Sequence, residues 1–100
     1  MESIKNIIIE SLKELNEELN IKELENPDEN TKIYGEGGLL DSLALVTFIT
    51  DLEEKIEDEL GYRITLVNER AMSRFRSPFK DVKTLSLYIQ ELIKEENKDG

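Results

Sequence analysis

The spacing of apolar residues divides the chain into three helical stretches separated by segments without a period. Ile4, Ile8, Leu12, Leu15 and Leu19 recur at steps of four and three, with Ile7 alongside, and charged residues fill the other face. This predicts an amphipathic helix over roughly residues 2–19. A polar segment follows, containing "ENPDENT" and "GEGG". It reads as a loop over about residues 20–40, with Ile33, Tyr34, Leu39 and Leu40 pinning it to the core. A loop of this length is uncommon in a compact domain and is often functional.

Periodicity returns over residues 42–60, and Gly61 suits a left-handed helix cap. "YRITLV" alternates like a strand, yet the chain offers no second strand to pair with it. The segment therefore reads as a loop leading to a short helix, capped by Asn68 and ending near Ser73. The last helix starts near Asp81, a suitable N-cap, and Val82, Leu85, Ile89, Leu92 and Ile93 form its buried stripe. The tail over about residues 95–100 is expected to fray. The fold class predicted is all-α: a single domain over residues 1–100, built as a small bundle of three main helices plus one short helix.

The second helix has apolar residues on two sides. At about 100° per residue, Leu45, Phe48, Ile49, Leu52, Ile56 and Leu60 fall in one sector, the expected core face. Leu43, Val46, Thr47, Thr50, Glu54 and Glu57 fall opposite. Leu43 and Val46 are either scattered surface apolars, which are normal, or a contact patch beside the start of the helix.

Composition narrows the chemistry. The chain carries 13 basic and 23 acidic residues, a formal charge of -10, and 36% of its residues are charged. That balance disfavours nucleic acid and anionic membrane surfaces, and suits brief, electrostatically steered encounters with basic partners. The chain has no cysteine and no histidine, so it lacks thiolate ligands, the commonest metal ligand and the commonest general base. No metal site is expected. The Ile-rich start is interrupted by Lys5 and Glu10, far short of a membrane span, and the expected location is the cytoplasm.

Asp41 and Ser42 open the second helix. A carboxylate at position 41 can accept an unpaired N–H of the first turn, worth roughly 1 kcal/mol, which explains Asp41 without a function. Ser42 then stands where a helix end favours a phosphate. No nucleophile-elbow pattern and no histidine accompany it, and "GEGG" lacks the strand that a dinucleotide fingerprint requires. On physical grounds a cap is the simpler account and a modification site the sharper one.

"LLDSLALVTFITDLEEKI" resembles the modification motif and second helix of acyl carrier proteins. The likeness covers nearly the whole chain: the first amphipathic helix, the long loop, "DSL", a short third helix and a closing F-x-x-V-x-x-L-x-x-Y-I pattern, here Phe79, Val82, Leu85, Tyr88 and Ile89. It implies that Ser42 carries 4′-phosphopantetheine, transferred from coenzyme A by a phosphopantetheinyl transferase, with Asp41 beside the attachment point. The arm's thiol would hold an acyl or aminoacyl group as a thioester and deliver it to partner enzymes, so the chain itself would be no enzyme. The resemblance implies loading and transferring enzymes as partners and a monomeric carrier. The surface they would read comprises Leu43, Val46, Thr47 and Thr50, with Glu53, Glu54 and Glu57 along or beside it.

Two departures from the family stand out. Ala44 and Thr47 occupy positions where fatty-acid-synthesis carriers have acids. Residues 62–83 hold six basic residues (Arg63, Arg70, Arg74, Arg76, Lys80, Lys83) against two acids (Glu69, Asp81). That excess reads first as internal balance for the acidic second helix, and alternatively as a distinct partner surface or as arginines that contact the cofactor phosphate. "SRFRSPF" resembles specialised, stand-alone carriers. The role expected is a carrier in a specialised lipid, polyketide-like or glycan-modifying pathway. The alternative is an unmodified helical interaction module with the same fold.

Overall fold

The computed structural model describes residues 2–66 and 78–98. Among these residues three helices make up the framework: α1 (Glu2–Leu19), α2 (Ser42–Leu60) and α3 (Val82–Lys98), with a 3₁₀ turn at Lys22–Leu24. Among the described residues there is no strand, only an isolated bridge between Lys32 and Asp81. The protein is a small all-α bundle, as the periodicity predicts. The short helix expected from Asn68 to about Ser73 lies outside the described residues. The end of α3, expected to fray from about residue 95, is helical as far as Lys98.

Helix α1 packs against both α2 and α3. Its stripe of Ile4, Ile7, Ile8 and Leu12 is buried. It stops where Asn20 adopts a left-handed φ of 54°, a conformation asparagine tolerates. The Asn20 N–H donates to the Asn16 carbonyl at 2.8 Å, and the Asn16 side chain accepts the Ile21 N–H at 2.6 Å.

Helix α2 buries Leu45, Phe48, Ile49, Leu52 and Ile56 and half-buries Leu60, the sector read from its sequence. Gly61 closes it at φ 76°, donating to the Glu57 carbonyl at 3.0 Å. Residues 62–66 of the alternating segment form no ladder among the described residues. Ile64 and Leu66 nevertheless point into the core while Arg63 and Thr65 stay exposed. The alternation thus records a chain laid along the bundle.

The connection from α1 to α2 is irregular but ordered by its own hydrogen bonds. Leu24 is fully buried within the 3₁₀ turn. The Ile33 and Tyr34 N–H groups donate to the carbonyls of Lys80 and Phe79, at 2.8 and 3.1 Å. In return, Thr31 and Glu29 carbonyls accept the Val82 and Lys83 N–H groups. The Asp81 side chain accepts the Thr84 N–H at 2.7 Å. The first amides of α3, which an isolated helix leaves unpaired, are therefore satisfied by the loop and by the cap. Nearby, Phe79 meets Tyr88 edge to face, ring centres 6.4 Å apart.

One ion pair spans α1 and α2. Lys55 on α2 pairs with Glu14 of α1 and lies 3.6 Å from Asp51 one turn earlier. The hydrogen bond to Glu14 raises the Lys55 pKa above its usual value, with burial pulling the other way and Asp51 adding to the rise.

Two outcomes are expected. Leu52, with no exposed surface, should cost roughly 2–5 kcal/mol when truncated to Ala, read from urea unfolding midpoints. Because the folded Lys55 pKa is raised, its contribution is fully present below the unfolded lysine value of about 10.4 and is lost as pH rises through the folded value. The stability advantage of the native chain over Lys55→Gln should thus hold from pH 7 to pH 9 and shrink by pH 11. An advantage that stayed constant across that range would contradict it.

Candidate functional site

The start of α2 gathers the residues singled out from the sequence. Asp41 is the N-cap, extended at φ -83° and ψ 178°, and its Oδ1 accepts the Ala44 N–H at 2.8 Å. Its carbonyl accepts the Leu45 N–H at 2.9 Å. The Ser42 and Leu43 amides, ahead of the capped one, find no acceptor among the described residues. They carry the partial positive charge of the helix end. Ser42 is exposed, so its hydroxyl is open to a reagent from solvent.

Leu43 and Val46 are 79% and 58% exposed, turned away from the core as the helical wheel requires. Thr47 donates its hydroxyl to the Leu43 carbonyl at 3.3 Å and Thr50 does the same to Val46 at 3.0 Å. This back-bonding occupies both hydroxyl protons within the helix. The outer face of the first turns is therefore less polar than its residue types indicate.

The acids on this helix have different fates. Glu54 is exposed. Glu57 pairs with exposed Arg63 at 3.2 Å. Glu53, grouped with the partner surface on sequence grounds, is half-buried, and its carboxylate accepts the Leu66 N–H at 2.6 Å. It ties the segment after α2 back to the helix, so it belongs to the framework. Asp51 leans toward Lys55. The pairing of Arg63 accords with charge balancing at the start of the basic segment; Arg70, Arg74 and Arg76 lie outside the described residues.

Two clefts run side by side along the α1–α2 seam. One, of about 210 Å³, is bounded by Leu15, Glu18 and Leu19 of α1 and by Asp41, Leu43, Ala44 and Thr47. The next, of about 180 Å³, reaches Ser11, Phe48 and Asp51. Ser11 is buried and its hydroxyl has no partner among the described residues. Among the described residues no cluster of acids could hold a metal ion, and no helix is long and apolar enough to cross a membrane.

Tyr34 joins the site from the loop. Its hydroxyl oxygen lies 3.2 Å from Ser42 Oγ, and either oxygen can be the donor. The intervening turn makes this possible. Gly35 and Gly37 take left-handed φ values of 92° and 77°, which favour glycine. Gly38 lies so close to the Tyr34 backbone that a Cβ there would sit 2.5 Å from Tyr34 Cα. From the sequence, Tyr34 is expected only as a core anchor. No periodic pattern relates residues 34 and 42, because an irregular turn brings them together.

Comparisons with protein-family models, curated proteins and solved structures returned no match. The site is therefore read from its own geometry.

Gly38→Ala places a methyl group against main chain that cannot yield as a flexible side chain would. The expected cost is about 1–3 kcal/mol, measured by chemical denaturation, with the amide resonances of Tyr34 and Ser42 shifting. A variant of native stability would mean that the turn opens freely.

Proposed function

We propose that this protein is an acyl-carrier-like protein with a 4′-phosphopantetheine arm on Ser42. The observation that carries this reading is an exposed serine hydroxyl at the capped start of α2, beside two unacceptored amides and an outward-facing apolar strip. The resemblance of "DSL" and the flanking helices to carrier proteins supports it. The residues fit the group. A phosphate ester on Ser42 would meet the positive end of the helix, and the nearest carboxylate, Asp41, is already engaged with Ala44 N–H.

Each residue has a defined part. Ser42 Oγ attacks the phosphorus that bears the pantetheine half of coenzyme A. An O–P bond forms, the pyrophosphate P–O bond breaks, and the nucleotide half leaves with the electron pair. The serine proton passes to a base on the separate transferase, since this chain has no histidine. Once bound, the arm supplies a terminal thiol able to carry an acyl or aminoacyl group as a thioester. Asp41 holds the helix end in register. Leu43, Val46, Thr47 and Thr50 offer the apolar contact, and Glu54 and Glu57 the negative charge, for loading and transferring enzymes in the cytoplasm. Ala44 and Thr47 leave the first turns uncharged, so partners that require acids next to the serine would be disfavoured. A specialised lipid, polyketide-like or glycan-modifying pathway suits this surface.

Mass spectrometry after incubation with coenzyme A and a broad-specificity phosphopantetheinyl transferase tests the proposal. The native chain should gain the mass of one arm and Ser42→Ala none. No gain with several such transferases would leave the unmodified interaction module as the better reading.

A further inference from the structure

We infer that Tyr34 is the protein's own ligand for the phosphodiester on Ser42, holding the first bonds of the arm against the loop; this rests on the carrier reading above. In the bare chain the Tyr34 and Ser42 oxygens are 3.2 Å apart and either can donate. Esterification removes that symmetry. Ser42 Oγ loses its hydrogen when the O–P bond forms, so Tyr34 becomes the only one of the two that can donate. Two acceptors are then within its reach: the ester oxygen, and an anionic phosphate oxygen two bonds further out. The anion is the stronger acceptor, since charge-assisted hydrogen bonds are roughly twice as strong as neutral ones. The phenol therefore bonds the phosphate.

The surrounding structure restricts the alternatives open to Tyr34. Its N–H is held by the Phe79 carbonyl at 3.1 Å. Gly38 packs against its main chain with no room for a Cβ. The ring is half-buried against the core, so the side chain leaves the scaffold from a fixed origin. Ser42 is equally fixed, as the first residue of a capped helix. The contact thus couples two anchored elements across an exposed gap. Its consequence is directional: the arm is restrained where it leaves Ser42, and its distal end sweeps from a biased starting orientation.

The test is ³¹P NMR on the chain loaded with phosphopantetheine, loading having been verified by mass. The resonance of the native loaded chain should be displaced from that of the same chain unfolded in urea. Loaded Tyr34→Phe, still folded by circular dichroism, should lose most of that displacement, whereas loaded Tyr62→Phe should keep it. A second measurement needs no substitution: with ¹³C-labelled tyrosine, the Tyr34 ring Cζ resonance should move on loading while those of Tyr62 and Tyr88 stay. A loaded chain in which the Tyr34 resonance does not move, or in which Tyr34→Phe keeps the phosphorus displacement, overturns this inference and leaves the carrier reading standing. A chain that accepts no arm overturns both.

Discussion

Four main-chain hydrogen bonds between residues 29–34 and 79–83 hold the rest of the molecule to its pattern. They run both ways. The loop donates from Ile33 and Tyr34, and it accepts from Val82 and Lys83. The same contact therefore anchors an irregular connection and completes the start of α3. Without it, the first amides of α3 would need water or side chains, and the loop's own backbone groups would face the core unpaired. Ile33 is fully buried here, so packing and hydrogen bonding act on one short stretch. From this anchor the turn of Gly35, Gly37 and Gly38 leads into α2, and Tyr34 ends beside Ser42.

The second organising feature is the division of α2 into two faces. Its inner face closes the core against α1, with the Lys55 to Glu14 pair at the margin. Its outer face carries Leu43 and Val46, which make no contribution to that core. The acids sort themselves between these roles by what lies next to them. Glu53 meets the returning backbone at Leu66 and is absorbed into the fold, whereas Glu54 remains on the outside. A residue's sign of charge therefore says less about recognition than its neighbours do.

A chain with neither histidine nor cysteine has no imidazole and no thiol of its own. An attached thiol would supply a group that no side chain of this chain has. The fold would then serve to present one hydroxyl, to give a helix end that tolerates a phosphate, and to offer a surface with apolar contact and moderate charge. Such a division, with reactivity on the arm and recognition on the helix, would make the same scaffold usable for different cargo.

The sequence by itself determined the helices. The 3.6-residue period placed α1 and α2 at their observed bounds, and Asp41, Gly61 and Asp81 marked ends whose caps are local interactions within a few residues. It also identified the outward direction of Leu43 and Val46, since a regular helix converts position into angle. Other features had no local signature. The proximity of Tyr34 to Ser42, the backbone pairing of the loop with the start of α3, the tight approach of Gly38 to Tyr34 and the inward use of Glu53 all join residues through irregular segments. Such segments have no period from which direction can be computed. The same limit applies after Gly61, where the sequence reads as a loop and does not tell what buries Ile64 and Leu66. Only the tertiary structure decided those pairings, because each depends on where a non-repetitive chain is held by a distant partner.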